Sequence, residues 1–217
     1  KSAVIVEVNI QTDFAARNAD FIAFVEKTVD AAVDAKDDAD LLTLPYPGGS
    51  GTIEDNRAAL VGRLGENITV RRWGRVAVKS GRVTSYVHMG GKIAVLLGAE
   101  TDSDATGEKI EAFLQDAAMQ IAAMAPPFLT AEEIPADARK AQAEIFAEQL
   151  EEEGQIPAER RPQVIEGKLT KWAKEVCLLQ QMSVIEPKKS VDELRAEAAK
   201  AAGGEAALVP FIRYERG

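Results

Sequence analysis

The sequence predicts an α+β fold: two subdomains with antiparallel sheets flanked by helices, plus a projecting antiparallel helical hairpin. Three observations lead there. Short β-rich runs at 4–8 and between 68 and 99 are joined, in the second region, by turns too short for a parallel crossover. Segments around them carry apolar residues at helical spacing instead. Residues 136–175 are so highly charged that each of two helical segments keeps only a narrow apolar seam. The expected subdomains are 1–80 and 81–217, the second containing the hairpin at 136–175.

Taken in order, the first element is a strand built on Val4, Ile5, Val6 and Val8, running into a polar turn. Asn18 is placed to cap a helix, with Asp20 in its first turn where the helix dipole favours negative charge. Phe21, Val25, Thr28 and Ala32, flanked by Phe24 and Val29, form its inner stripe, which ends near Asp34 to Asp38. The loop LPYPGGSG at 44–51 excludes regular structure through its prolines and glycines. Thr52 and Asp55 then pair as a capping box for a second helix, with Ile53, Leu60, Val61 and Leu64 inside and Gly65 as a left-handed stop.

From Ile68 the period becomes strand-like. The runs ITVRRWGRVAVK, RVTSYVH and KIAVLLGA, separated by Ser80-Gly81 and Met89-Gly90-Gly91, predict an antiparallel meander. A helix over about Glu108 to Met124 follows, ended by Pro126-Pro127 and covering one face of the sheet. In the hairpin, Ala141, Ile145, Phe146 and Leu150 are expected to meet Ile165, Leu169, Trp172 and Val176 across a turn at Gly154 to Pro157. A helix capped by Ser190 and Glu193 precedes a last strand, ALVPFIRYE, whose Pro210 confines it to an edge or delays its pairing.

A chain of 217 residues that is 46% hydrophobic has enough apolar surface for a real core, as one large domain or two small ones. Its formal charge of −9 opposes direct binding to nucleic acid, which needs a basic face. No apolar run reaches the roughly 20 residues that cross a bilayer, and the single Cys177 cannot form an internal disulfide. With no basic-then-apolar leader, the expected location is the cytoplasm or an organellar matrix. Strand-like sequence begins within three residues of Lys1, which suggests a fragment.

Chemistry-bearing motifs are sparse. His88 and Cys177 are the only histidine and the only thiol, in segments with no reason to meet, and a lone cysteine is more often a small buried hydrophobe than a nucleophile. No CxxC, HExxH or EF-hand spacing occurs, GGSG at 48–51 lacks the Lys-Ser/Thr of a phosphate loop, and Gly90-Gly91-Lys92 sits in a hairpin. No cofactor or metal is expected, and the acidic run at 148–153 reads as a solvated helix face. Interaction surface remains. His88 ends a strand beside two glycines, which places its ring at an exposed tip. Asp13 and Phe14 sit side by side before the first helix: either an exposed wedge for another protein, or, the reading that local physics favours, an Asp leading into the helix beside a core Phe.

Six collinear stretches decide the matter differently: VEVNIQTDFAARN (6–18), GRLGENITVRR (62–72), YVHMGGKIAVLL (86–97), QIAAMAPPFL (120–129), EGKLTKWAKEVCLLQQ (166–181) and FIRYERG (211–217). In these the chain resembles the bacterial-type elongation factor Ts family, guanine nucleotide exchange factors for elongation factor Tu. The resemblance implies a core of two α+β subdomains with a coiled-coil excursion. It carries the family's TDF motif onto Thr12, Asp13 and Phe14, and its strand-end histidine onto His88. It implies that Asp13 and Phe14 push into the partner's GTPase domain near the magnesium and phosphate site, that His88 engages the same region, and that the hairpin adds contacts. A homodimer or a two-to-two complex with the partner is compatible with it. The alternative is a non-catalytic subunit that holds elongation factor Tu or another partner. Relative to the family pattern, a preceding small helical domain, the first core strands and a Gly-Glu-Gly continuation with a C-terminal helical segment are not in this sequence. Ala15 stands where a bulkier Val is common.

Overall fold

The computed structural model describes residues 1–216, and within them the α+β expectation holds. Strand β1 (Ser2–Ile10) pairs antiparallel with β2 (Ile68–Ala77), from Ser2 opposite Ala77 to Ile10 opposite Ile68. Helices α1 (Ala19–Asp34) and α2 (Ile53–Leu64) cover one face of this ribbon, burying Phe21, Phe24, Ile53 and Leu60 with Ile68. Their ends are as the local signals require. The Asn18 side chain accepts from the amides of Asp20 and Phe21, Thr52 and Asp55 form the reciprocal capping box, and Gly65 closes α2 in the left-handed region at φ 70°.

Strand β3 (Gly81–His88) forms a hairpin with β4 (Ile93–Thr101), and the far edge of β4 takes β5 (Ala206–Leu208) and then β6 (Ile212–Glu215). Pro210 falls in the gap between these two pieces, at the sheet edge, as a missing amide donor demands. Helices α3 (Asp104–Lys109), α4 (Glu111–Met124) and α7 (Val191–Ala202) pack on this sheet around Val95, Leu97, Leu114, Ile121 and Leu178. Ile5, Val76 and Leu96 form a third cluster where the two sheets meet. Gly74 permits that approach, since a Cβ there would lie 2.6 Å from the Ile212 side chain.

The expected three-strand meander is not formed. β2 pairs with β1, and the link after it crosses to the other sheet. Its backbone is held by β4 and α3: the amides of Lys79 and Ser80 donate to the Glu100 carboxylate, and Gly81 donates to Asp104. Gly81, at φ 126°, passes so close to Ala99 that a Cβ would collide with its carbonyl oxygen. The helix expected from Glu108 starts earlier, where Ser103 caps α3, and it is interrupted at Ile110. Ala125 in the left-handed region ends α4 before the prolines do.

Helices α5 (Ala136–Glu153) and α6 (Arg161–Val176) form the antiparallel hairpin, with α5 packed chiefly on α6. Its seam is the expected one on α6 and departs from it on α5 at Ala141 and Ile145. Leu150, Leu169 and Ala173 are buried and Phe146 and Trp172 half-buried, whereas Ala141 and Ile145 face solvent. Lys168 covers the Phe146 ring from 5.5 Å, and Arg139 bonds Glu166 across the pair.

Candidate functional site

Between β1 and α1 the chain makes a corner that is tied down from two directions. The Thr12 amide and hydroxyl both donate to the Glu66 carboxylate, at 3.0 and 2.6 Å, and Asn67 donates to the Gln11 side chain, so the corner is stapled to the loop after α2. Asp13 Oδ1 accepts from the Arg216 guanidinium at 3.0 Å, which ties it to the end of β6. Thr12 Oγ1 also accepts from the Ala15 amide, starting a 3-10 turn over Ala15–Arg17.

That turn places its residues against their usual preference. Ala16 packs on the first core, while Phe14 is 89% exposed. Burying a Phe side chain contributes about 1.5–3 kcal/mol, and here that gain is left unused. Phe14 is not the core residue that local physics favoured, while Asn18 caps the helix as expected and Asp13 lies in the turn that leads to it.

His88 closes β3 opposite Ile93, and Met89, Gly90 and Gly91 turn the chain with φ of 49°, 65° and 90°. Its ring is exposed, stacked 5.9 Å from that of Tyr86, with Nδ1 3.1 Å from the Tyr86 hydroxyl. Residues i and i+2 of a strand share a face, which is why the two rings meet. Either the hydroxyl donates to Nδ1 or Nδ1–H donates to the hydroxyl, and in both cases Tyr86 leaves Nε2 free.

The tip and the corner belong to one side of the molecule. The Arg216 amide donates to the Lys92 carbonyl and the Gly91 amide to the His88 carbonyl, so one short run of bonds leads from Asp13 to the hairpin. A cleft of about 490 Å3 opens between them, lined by Ala16, Val25, Val87, Gly91 and Arg216 among others. Val87 and Met89 add exposed apolar surface at the tip.

Cys177 is elsewhere in function as well as place. Its backbone bridges to that of Phe128 at the end of α6, and its thiol is buried, with a pKa pushed up to about 11 by burial, Glu133 and Glu132 adding to the effect. Such a thiol is not a nucleophile at neutral pH. Among the described residues no group of three or more His, Cys, Asp and Glu side chains is placed to hold a metal ion, and no helix is long and apolar enough to cross a membrane.

Sequence reasoning did not find Glu66 or Arg216, the partners that hold Thr12 and Asp13. Nothing local to either residue signals a bond across 54 or 203 positions. Tyr86 was findable, from its i, i+2 relation to His88 in a strand.

Fold and corner together define a class: an α+β protein with a helical hairpin that presents a braced, solvent-exposed aromatic. A family model described as Elongation factor TS matches residues 11–217. Proteins named Elongation factor Ts are similar over the whole chain: that of Nautilia profundicola is 44% identical over 220 residues, and that of Nitratiruptor sp. 41% over 222. One from Clostridium botulinum is 38% identical over 228 residues, and in each case the chain covers 71% of the relative. The chain belongs to the elongation factor Ts family, and so to the proteins of translation elongation.

Proposed function

We propose that this protein is a guanine nucleotide exchange factor: it binds elongation factor Tu in its GDP form and promotes GDP release by disturbing the magnesium and phosphate site. The observation that carries this is Phe14, an aromatic held out in solvent by a corner whose two preceding residues, Thr12 and Asp13, are both anchored. Phe14 acts as the wedge, Asp13 brings negative charge toward phosphate or competes for magnesium, and His88 engages the same region from the hairpin tip. Thr12 works through position, since both its donors are spent on Glu66. We divide the chain into subdomains 1–80 and 81–217, with the hairpin at 136–175 offering a further partner contact. Its place of action is wherever elongation factor Tu works, the cytoplasm or an organellar matrix.

No covalent step is needed. A ligand shifts an equilibrium only by its differential affinity, so the protein must bind the nucleotide-free partner more tightly than the GDP-bound one. Each tenfold loss of nucleotide affinity requires about 1.4 kcal/mol of that difference. Burial of Phe14 is suited to supply it, because it is realised only when the partner opens a pocket for the ring. The test is stopped-flow release of a fluorescent GDP from elongation factor Tu. The wild-type chain should accelerate release and Phe14→Ala should accelerate it much less. A chain that binds the partner yet leaves the off-rate unchanged is a passive holder, and that result would replace the proposal.

A further inference from the structure

We infer that Arg216 is a positioning residue for the wedge: by binding Asp13 from the end of β6 it sets the corner's placement relative to the hairpin that carries His88. This rests on the reading of the corner as the docking element. Phe14 is 89% exposed, so its own packing cannot orient it, and its direction follows from the two residues before it and the 3-10 turn after it. Thr12 is held by Glu66, within the same half of the chain. Asp13 is held by Arg216, whose amide extends the β6–β4 ladder by donating to Lys92 at 2.9 Å. The two partners are unequal. The Arg216 side chain, which lines the cleft, is 33% exposed and that of Asp13 70%, so the guanidinium is the more enclosed member of the pair. An exposed ion pair adds little to global stability, largely because it must hold long side chains still. Here that restraint is the useful product, and the bond's effect belongs to local order at residues 13 and 14.

The inference is tested on two readouts. Backbone 15N relaxation should give Asp13 and Phe14 order parameters near the rigid value of about 0.85 in the wild type, falling toward about 0.6 in Arg216→Met and recovering in Arg216→Lys. Asp13→Ala removes the acceptor from the exposed side and should loosen Phe14 to the same degree, with no further loss in the double variant; it also serves if Arg216→Met fails to fold. In the GDP-release assay Arg216→Met should need about fivefold more protein for half-maximal acceleration, with an unchanged melting temperature. Unchanged order at Phe14 in Arg216→Met and Asp13→Ala overturns the inference even if exchange is intact. A wild-type chain that does not accelerate release overturns the proposed function, while the order parameters still decide what Arg216 does.

Discussion

Thr12 and Glu66, 54 positions apart, are joined twice, the amide of Thr12 to one carboxylate oxygen and its hydroxyl to the other. Two parallel bonds to one carboxylate fix an angle as well as a distance, which a single bond does not. The corner before α1 is therefore oriented on the loop after α2. Glu66→Ala should lower unfolding free energy by only about 0.5–1.5 kcal/mol per bond lost, since both groups can rehydrate. GDP release promoted by the variant should slow by more than that small loss of stability explains. Thr12→Val removes the hydroxyl bond but keeps the amide bond, so it should slow release less than Glu66→Ala, as measured by denaturant titration beside the release assay.

Exchange by differential binding is reciprocal. Whatever factor the chain imposes on GDP affinity, GDP must impose on the chain's affinity for elongation factor Tu. Titrations of the partner with and without saturating GDP should return the same factor as GDP titrations with and without the chain. In Phe14→Ala both factors should shrink together, while the variant's own stability stays within about 0.5 kcal/mol of wild type because the ring contacts so little. Unequal factors would break the linkage.

Tyr86 and His88 form a stacked, hydrogen-bonded pair at the hairpin. Tyr86→Phe keeps the ring that packs on the second core and removes only the hydroxyl. The imidazole nitrogens should then report a change from one dominant neutral tautomer toward a mixture, read from their 15N shifts. Promoted GDP release should fall, but by less than in His88→Ala. An unchanged tautomer distribution would mean that the Tyr86 hydroxyl does not order His88.

Local signals were enough for most elements: Asn18, the Thr52–Asp55 and Ser190–Glu193 boxes and Gly65 act through bonds to residues nearby in sequence, and Pro210 through the amide donor that it lacks. What local signals do not carry is pairing. β2, β3 and β4 all read as strands, and nothing in their own residues says that β2 finds β1 while β3 finds β4. In the hairpin seam Ile145 alone of the large apolar residues departs from expectation, since it and Phe146 are equally apolar and only packing against α6 chooses between them. At the corner, local physics pointed to a core Phe because burial is the default fate of a large aromatic. The resemblance, not the residue pattern, favoured exposure, and the braces responsible lie far along the chain.

Glu7 shows how such a non-local pairing makes a pH-sensitive joint. The β1–β2 register shifts between Glu7 and Val8, leaving Arg71 as an extra residue in β2. Consecutive strand residues normally point to opposite faces, but the bulge lets Arg71 and Arg72 both reach the Glu7 carboxylate, at 2.9 and 2.6 Å. Arg72 continues to the other sheet, lying 4.2 Å from the Tyr214 ring centroid. Burial pushes the Glu7 carboxyl up, but bonds from Asn9, Arg72 and Arg71 outweigh it and hold the group below its ordinary value of 4.5. A carboxylate depressed on folding contributes stability above its unfolded value, and that contribution disappears as pH falls through the folded value. Unfolding free energy should therefore decline below about pH 4.5. Glu7→Gln should cost about 1.5–3 kcal/mol at pH 7, the worth of bonds to a charged group. The gap between wild type and Glu7→Gln should close on acidification, as urea titrations from pH 7 downward would show. A gap that stays constant with pH would mean that Glu7 acts by shape rather than by charge.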